Sequence, residues 1–434
     1  MSAPDFSVQI FNNEYLPVGA REVNAIVTVT AGGSVASEQP AATGAAEIII
    51  VDCSGSMANP ITKLIQAREA TAAAIDAIRD GVAFAVIAGN QDATPFFPAN
   101  RSLTIASPAT RDAAKRELRR LKANGGTAIG QWLQLARHTF ETREDALRHA
   151  ILLTDGRNEH ESASDLDAAI AWCEGAFRCD CRGVGTDWKV EELRKISTAL
   201  LGTVDIVPDP AGLAADFEAM MRESMTKQVA DVALQLWTPQ HAAIRFVKQV
   251  APTVEDLTAR RTQLTPQKGN YPTGAWGAGE SRDYHVCVDV QPGGLGQNML
   301  AARVSLVFLT PDGPQTIDMG QGQGQIKATW TDDDALSTKI SKEVAHYTGQ
   351  AELAQAIQDA LEARKRGDVA AAESEFSRAM VLARQSGNTE TADLLANVVD
   401  FDPATEVARL KSKVAEADEM ALDTRSTKTV RVKK

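Results

Sequence analysis

The sequence lacks the features of a secreted or membrane-embedded protein. No run approaches the roughly 18 apolar residues that a membrane-spanning helix needs. Residues 1–11 contain neither the basic nor the apolar segment of a signal peptide. Only five cysteines occur in 434 residues, an odd number that does not suggest a disulfide framework. We therefore expect a cytoplasmic protein with reduced thiols and no contact with a membrane.

The sequence also lacks an excess of basic residues. It contains 45 Lys and Arg against 57 Asp and Glu, which gives a formal net charge of −12. Because phosphate surfaces attract basic faces, we do not expect nucleic-acid binding. Hydrophobic residues make up 44% and charged residues 24%, an ordinary globular balance. The length predicts about two to four domains.

Several common catalytic motifs are missing as well. The sequence contains no Gly-x-Ser-x-Gly nucleophile elbow and no Gly-x-x-x-x-Gly-Lys phosphate loop. Of six histidines, none lies at a spacing that suggests a base beside a nucleophile. An Asp-x-Asp phosphoryl-transfer motif is excluded at Asp52 because Ser54 occupies the third position. We therefore predict that the protein is not an enzyme.

Three of the cysteines, Cys173, Cys179 and Cys181, lie close together in the sequence. Two interpretations remain open, a site for a soft metal ion and a group of buried core thiols. The spacing is not that of a zinc knuckle, and no fourth Cys or His lies nearby in the sequence.

The central part of the chain, from about residue 45 to residue 227, alternates apolar strands with amphipathic helices. Glu47–Val51, Val82–Ala88 and His149–Thr154 are continuous apolar runs, as expected of strands that are covered on both faces. Alternation of this kind predicts a doubly wound α/β fold with a mostly parallel sheet. Ligands of such folds bind at the carboxyl ends of the strands.

Three polar loops follow predicted strands in this region. Their side chains are short oxygen donors, and their glycines allow tight turns. Mg²⁺ prefers oxygen ligands at about 2.0–2.1 Å in octahedral geometry. We therefore predict a site for a divalent cation, and its candidate ligands are Asp52, Ser54, Ser56, Thr127 and Asp155.

The order of these three motifs resembles that of a known protein family. Asp-x-Ser-x-Ser at residues 52–56, Gly-Gly-Thr at 125–127 and Thr-Asp-Gly at 154–156 resemble the metal-ion-dependent adhesion site (MIDAS) of von Willebrand factor type A (VWA) domains. The resemblance covers about residues 45–227 and implies a Rossmann-like VWA fold.

The resemblance also implies a role for each matching residue. Ser54, Ser56 and either Thr127 or a water would bind the metal directly, while Asp52 and Asp155 would act directly or through water. A carboxylate of the partner would take the last coordination position. Mg²⁺ is the expected ion, and Mn²⁺ and Ca²⁺ are alternatives.

The expected function is that of an intracellular metal-dependent protein-binding module, in which the cation grips an Asp or Glu of a protein partner. One alternative is an adaptor subunit for an AAA+ ATPase of the MoxR or chelatase kind, because intracellular relatives of VWA domains often serve such enzymes. Another is RNA binding, known for some members of the family, against which the net charge of −12 counts.

The segments on either side of the central part are predicted to be all-β. Residues 1–44 and 228–331 contain half-buried strands such as Glu22–Thr30, in which Ile26 interrupts the alternation. Residues 1–44 are too few to hold a core alone. We therefore expect one β-sandwich into which the VWA domain is inserted, and two unrelated β segments are the alternative.

The C-terminal part of the chain, residues 332–424, is predicted to form a helical arm. The expected helices there are Lys342–Lys365, Val369–Arg384, Thr389–Val399 and Pro403–Leu422. Residues 425–434 are basic and are expected to form a disordered tail. Alternatively, this tail is a docking peptide in which Thr427 or Thr429 is phosphorylated and bound by a phosphothreonine-reading partner.

Overall fold

The computed structural model describes residues 6–32, 44–143, 146–310, 313–317 and 324–432. The chain divides into two compact units. Residues 36–228 belong to the first, which we call the α/β unit. The residues before and after them belong to the second, which we call the sandwich unit. The strands before the α/β unit are β1 (Phe6–Asn12), β2 (Tyr15–Pro17) and β3 (Glu22–Ala31).

The α/β unit alternates strands and helices as the sequence predicts. Its strands are β4 (Ala45–Asp52), β5 (Ala83–Gly89), β6 (Ala93–Phe97), β7 (Thr104–Ile105), β8 (Leu147–Thr154), β9 (Arg178–Val184) and β10 (Val204–Val207). Its helices are α1 (Thr62–Ala77), α2 (Pro108–Leu118), α3 (Ile129–Phe140), α4 (Ala163–Cys173), α5 (Val190–Ala199) and α6 (Leu213–Ser224).

One mostly parallel sheet forms the centre of the α/β unit. The strand order is β10-β9-β8-β4-β5-β6, and β7 pairs with β5. The first five strands are parallel, while β6 and β7 run antiparallel to β5. Residues 46–52 of β4 are all buried, which explains the uninterrupted apolar run in the sequence. The predicted doubly wound fold is confirmed.

The sandwich unit continues after the α/β unit with β11 (Lys227–Trp237), β12 (Ala242–Ala251), β13 (Glu255–Asp256), β14 (Thr262–Thr265), β15 (Lys268–Gly277), β16 (Ser281–Val290), β17 (Asn298–Thr310), β18 (Gly313–Ile317) and β19 (Gln325–Thr331). One sheet has the order β1-β3-β16-β12-β13 and the other β14-β15-β11-β17-β19-β2, with β18 paired to β17. Side chains of both sheets, among them Val27, Leu234 and Trp330, share one apolar core.

The C-terminal helices are α7 (Asp334–Ser337), α8 (Lys342–Lys365), α9 (Val369–Ser386), α10 (Thr389–Val398) and α11 (Glu416–Arg425). The start of α8 explains the break in the alternation of β3. Ile26 points to the face of the sheet opposite the sandwich core and packs with Val250, Val344 and Tyr347. β3 is therefore covered on both faces at Ile26, so an apolar residue is favoured at this position although it breaks the alternation.

The predicted helix over Pro403–Leu422 is wrong for residues 403–415, and only its last part, within α11, is helical. β20 (Val399–Asp402) and β21 (Val407–Leu410) form an antiparallel hairpin that precedes α11. Asp402 Oδ1 accepts a hydrogen bond from the Ala404 amide within the turn, and Glu406 adopts a φ of 56°. Backbone amides of β21 donate to side chains of α9, so contacts distant in sequence stabilise the hairpin.

The prediction of a disordered tail is wrong for residues 425–432. The carbonyl of Thr427 accepts from the Val254 amide at 2.7 Å, and the amide of Thr429 donates to the Pro252 carbonyl at 3.0 Å. The Thr429 hydroxyl also donates to the Val250 carbonyl at 2.7 Å. The tail is thus held against residues 250–254, at the end of β12 and just after it, and it pairs with polar backbone groups there. Residues 433–434 lie outside the described part.

Candidate metal centre

Two of the three predicted loops begin at one edge of the central sheet. The second, residues 125–127, was expected to follow a strand but follows α2. β4 ends at Asp52 and β8 ends at Thr154, and these strands are parallel neighbours. The second loop is drawn to the first by backbone hydrogen bonds, since the Gly55 amide donates to the Gly125 carbonyl at 2.9 Å. All three loops therefore lie at the carboxyl ends of the strands, where open α/β sheets bind ligands.

Asp52 is fully buried at this edge. Its Oδ1 accepts from the Ser54 amide at 2.7 Å, and its Oδ2 accepts from the Thr154 hydroxyl at 2.6 Å. Burial raises the pKa of Asp52 to about 6, although these hydrogen bonds oppose the effect. A cation beside the carboxylate would favour its ionised form.

The serine hydroxyls of the first loop bridge towards the third loop. Ser54 Oγ lies 2.8 Å from Ser56 Oγ, and the Ser56 hydroxyl donates to Asp155 Oδ1 at 2.6 Å. Asp155 is also fully buried. The three side chains therefore form a continuous chain of oxygen atoms between two loops.

Thr127 and Asp52 lie next to these side chains, as the surroundings of Gly156 show. A Cβ atom placed on Gly156 would lie 3.3 Å from Ser56 Oγ, 3.4 Å from Thr127 Oγ1 and 4.0 Å from Asp52 Oδ2. Oxygens of the first two loops thus surround a point on the third loop that a glycine leaves open. The structure brings all five predicted site residues together.

Lys63 is a charged residue at this site that we did not predict. Its Nζ donates to Asp155 Oδ2 at 2.7 Å and to Asp187 Oδ2 at 3.3 Å, and its side chain is only 10% exposed. Burial disfavours its charge, but the hydrogen bonds and charges of the two aspartates outweigh burial and raise its pKa. In the sequence, Lys63 could have been noticed as a charged residue among the apolar residues of the buried face of α1.

The loop after Asp155 carries four polar side chains. Arg157, Glu159 and His160 are exposed, whereas Glu161 is partly buried. Burial raises the pKa of Glu161, although a hydrogen bond from the Gly130 amide opposes the effect.

The cysteines do not form a second metal site in the described part of the chain. All five are free and buried, and burial raises the pKa of Cys53 and of Cys173 to about 12. No cluster of three or more His, Cys, Asp or Glu side chains that could hold a metal ion occurs among the described residues. This finding favours core thiols for Cys173, Cys179 and Cys181.

A separate charged cluster lies near the amino ends of the same strands. His149 Nδ1 is 2.7 Å from Glu47 Oε2, and His149 Nε2 is 2.9 Å from Asp180 Oδ2. Burial disfavours the imidazolium, but the two carboxylates outweigh burial and raise the pKa of His149 to about 9. Ser224 donates to Glu47 and not to the histidine, so this cluster does not contain an activated serine.

Comparisons with known proteins agree with the fold. A family profile described as the von Willebrand factor type A domain matches residues 48–158, and one described as the von Willebrand factor type A C-terminal domain matches residues 381–426. A solved structure, von Willebrand factor type A from Catenulispora acidiphila, is 51% identical, and the match covers 99% of this chain and 98% of that chain with a TM-score of 0.92.

Two more distant proteins are also similar. The ArnB paralog VWA2 from Sulfolobus acidocaldarius is 14% identical over 97% of this chain and 98% of that chain, with a TM-score of 0.62, which shows a similar fold only. An uncharacterized protein of Synechocystis sp. is 27% identical over 219 residues, or 49% of this chain. The matched part spans 50% of that protein's length.

The fold and the site therefore define a doubly wound α/β protein with a cluster of hydroxyl and carboxylate oxygens at the carboxyl ends of its strands. The chain belongs to the von Willebrand factor type A family. Domains of this family are in general protein-interaction modules, and some of them bind a divalent metal ion. Among the described helices, none combines the length and apolar character that a bilayer span requires.

Proposed function

We propose that the chain is a metal-dependent protein-binding module whose cation takes an Asp or Glu of a partner as its remaining ligand. The observation that carries this proposal is the meeting of Ser56, Thr127 and Asp52 oxygens beside Gly156, together with the hydrogen bond from Ser56 to Asp155 of the third loop. Hard cations such as Mg²⁺ need several oxygens that converge on one point, so the donor set fits the ion. The residues that would hold it are Asp52, Ser54, Ser56, Thr127 and Asp155.

The proposed ligands divide into neutral and charged donors. Ser54, Ser56 and Thr127 would supply hydroxyl oxygens that leave most of the positive charge of the ion unbalanced. Asp52 and Asp155 would supply the negative charge that holds the ion at the sheet edge. A cation that retains net positive charge attracts a carboxylate, which is the chemistry that the ion would supply.

The hydrogen bonds of the two aspartates hold their carboxylates in place and leave room for a cation. Asp52 accepts from Ser54 and Thr154, and Asp155 accepts from Ser56 and Lys63. Each of these oxygens has one donor and keeps a second lone pair that can bind a metal ion. Because the sequence also lacks the common catalytic motifs, we propose a binding protein and not an enzyme.

Calorimetry tests the metal part of the proposal. Protein freed of metal with EDTA and dialysed is titrated with MgCl₂ and separately with MnCl₂. The wild type is expected to bind one ion, and Asp52→Asn is expected to bind none. Asp92→Asn is a matched control, because Asp92 is an exposed aspartate on the turn between β5 and β6. Equal metal binding by Asp52→Asn and the wild type would contradict the proposal.

An affinity capture experiment tests the partner part. Wild type, Asp52→Asn and Asp92→Asn serve as bait in Mg²⁺, each with and without EDTA. A partner that binds through the ion should be captured by the wild type and by Asp92→Asn in Mg²⁺ only. Capture that survives both EDTA and Asp52→Asn would refute a metal bridge. An AAA+ ATPase among the metal-dependent partners would support the adaptor hypothesis.

A further inference from the structure

The helix that follows Thr127 begins without a cap of its own. Ala128, at the N-cap position of α3, has no side-chain acceptor to offer. The first amides of a helix need acceptors from elsewhere, because no preceding turn supplies them. Two acceptors come from the loop after Asp155, and neither touches the oxygen cluster in the contacts described above.

These two acceptors bind successive amides of α3. Asn158 Oδ1 accepts from the Ile129 amide at 2.7 Å, and Glu161 Oε1 accepts from the Gly130 amide at 2.6 Å. The Asn158 side chain also hydrogen-bonds to Glu161, which joins the two acceptors. The third loop thus caps the helix that starts at the second loop.

His160 holds the backbone of Thr127 itself. The Thr127 amide donates to His160 Nδ1 at 3.2 Å, and the His160 amide donates to the Thr127 carbonyl at 2.9 Å. A ring nitrogen that accepts a hydrogen bond carries no proton, so the neutral ring has its proton on Nε2. The peptide groups on both sides of the Thr127 side chain are therefore fixed by one residue.

Two glycines leave the space that these side chains occupy. A Cβ atom on Gly126 would lie 2.1 Å from His160 Nδ1, and one on Gly130 would lie 2.6 Å from Glu161 Oε2. Either substitution would push the acceptor away. The second loop and the start of α3 are thus shaped to receive the side chains of the third loop.

The charge of Glu161 has a further effect at this place. The N-terminus of a helix carries a positive partial charge, which disfavours a cation nearby. Thr127, a proposed metal ligand, lies two residues before the first residue of α3. The Glu161 carboxylate on the Gly130 amide offsets that partial charge.

We propose that Asn158, His160 and Glu161 are positioning residues that fix the Thr127 hydroxyl at the metal site and thereby raise the affinity of the site for a divalent cation. The inference depends on the proposed function, because it concerns the same ion. None of the three residues would touch the metal. Removal of such outer supports typically lowers metal affinity about 10- to 100-fold.

Calorimetric titration of metal-free protein with MnCl₂ tests the proposal with four proteins. Glu161→Ala removes the acceptor and its charge, Glu161→Gln keeps an acceptor oxygen, and Glu159→Ala removes an exposed carboxylate two residues away that makes no hydrogen bond to α3. Affinity is expected to fall about 10- to 100-fold in Glu161→Ala. It should recover in large part in Glu161→Gln and stay at the wild-type value in Glu159→Ala.

Hydrogen exchange in the metal-free proteins gives a readout independent of the ion. The amides of Thr127, Ile129 and Gly130 should exchange faster in Glu161→Ala than in the wild type, and at the wild-type rate in Glu159→Ala. Circular dichroism checks that each variant is folded. Should Glu161→Ala not fold, His160→Ala replaces it, because its ring is exposed and its loss is expected to lower Mn²⁺ affinity in the same range.

The outcomes separate the two proposals. A wild type that binds neither Mn²⁺ nor Mg²⁺ would overturn the proposed function, and this inference with it. A wild type that binds Mn²⁺, together with equal affinities of Glu161→Ala and Glu159→Ala, would overturn only the positioning role. Weaker binding in Glu161→Ala with recovery in Glu161→Gln would support it.

Discussion

Replacing Asp52 by asparagine should stabilise the metal-free protein and at the same time abolish metal binding. The carboxyl group is fully buried, and burial raises its pKa from 3.8 to about 6. At pH 7 the native state therefore holds an ionised group in an unfavourable place. Asparagine can still accept from the Ser54 amide, and the Thr154 hydroxyl can donate to the Gly156 carbonyl, 3.3 Å away.

The magnitude follows from the pKa of Asp52. A rise from 3.8 to about 6 corresponds to about 3 kcal/mol of lost stability at pH 7, at about 1.4 kcal/mol for each tenfold step. As the pH rises, Asp52 ionises in the unfolded chain before it ionises in the native protein. The loss of stability is therefore absent below pH 3.8 and grows as the pH rises from 3.8 through about 6. Asp52→Asn should therefore exceed the wild type by about 3 kcal/mol at pH 7 and by about half as much at pH 5.

Urea unfolding in EDTA at pH 5 and pH 7 measures this difference. The exposed control Asp92→Asn should stay within about 0.5 kcal/mol of the wild type. At a Mg²⁺ concentration of 100 times the dissociation constant, the wild type should gain about 2.7 kcal/mol and Asp52→Asn nothing. An Asp52→Asn protein that is less stable than the wild type in EDTA at pH 7 would refute the reasoning.

Two further predictions concern other parts of the chain. The pKa of His149 rises from 6.5, its value in the unfolded chain, to about 9 in the native protein, which adds about 3 kcal/mol of stability at pH values below 6.5. This stability is lost as the pH rises through about 9. Urea unfolding between pH 6 and pH 10 should show this loss in the wild type and a flatter profile in His149→Gln; parallel profiles would contradict it. A chain that ends at Ser426 lacks the hydrogen bonds of Thr427 and Thr429. This truncation should lower the free energy of unfolding by about 2 kcal/mol without changing the affinity for Mn²⁺. An unchanged unfolding curve would contradict the role of the tail.

Much of the α/β unit could be predicted because its signals are local. A parallel strand covered on both faces needs an uninterrupted apolar run, and Glu47–Val51 and His149–Thr154 lie within the observed β4 and β8. The carboxyl ends of neighbouring parallel strands share one edge, so loops that are distant in sequence could be expected to meet. Ser56 and Asp155 are 99 residues apart and hydrogen-bond directly.

The parts that escaped prediction depend on contacts distant in sequence. Lys63 was not recognised because its partner Asp155 lies 92 residues away. Glu161 was not predicted to cap α3, because its hydrogen bond to the Gly130 amide crosses 31 residues. The strand β21 was predicted as part of a helix, because the hydrogen bond from the Ala408 amide to Ser377 of α9 depends on a residue 31 positions away.

The buried ammonium group of Lys63 determines the sign of the charge that a partner would meet. Among the buried charges, Asp52, Asp155 and Lys63 leave the metal-free cluster with one net negative charge, while the carboxylate of Asp187 beside Lys63 is exposed and screened by water. A bound dication would reverse this to one positive charge, and a single carboxylate of the partner would bring the complex to neutrality. A monovalent ion, or a dication in a protein without the lysine, would leave a neutral cluster with no net attraction for an acid. Lys63 would thus make capture of an acidic partner depend on the double charge of the ion.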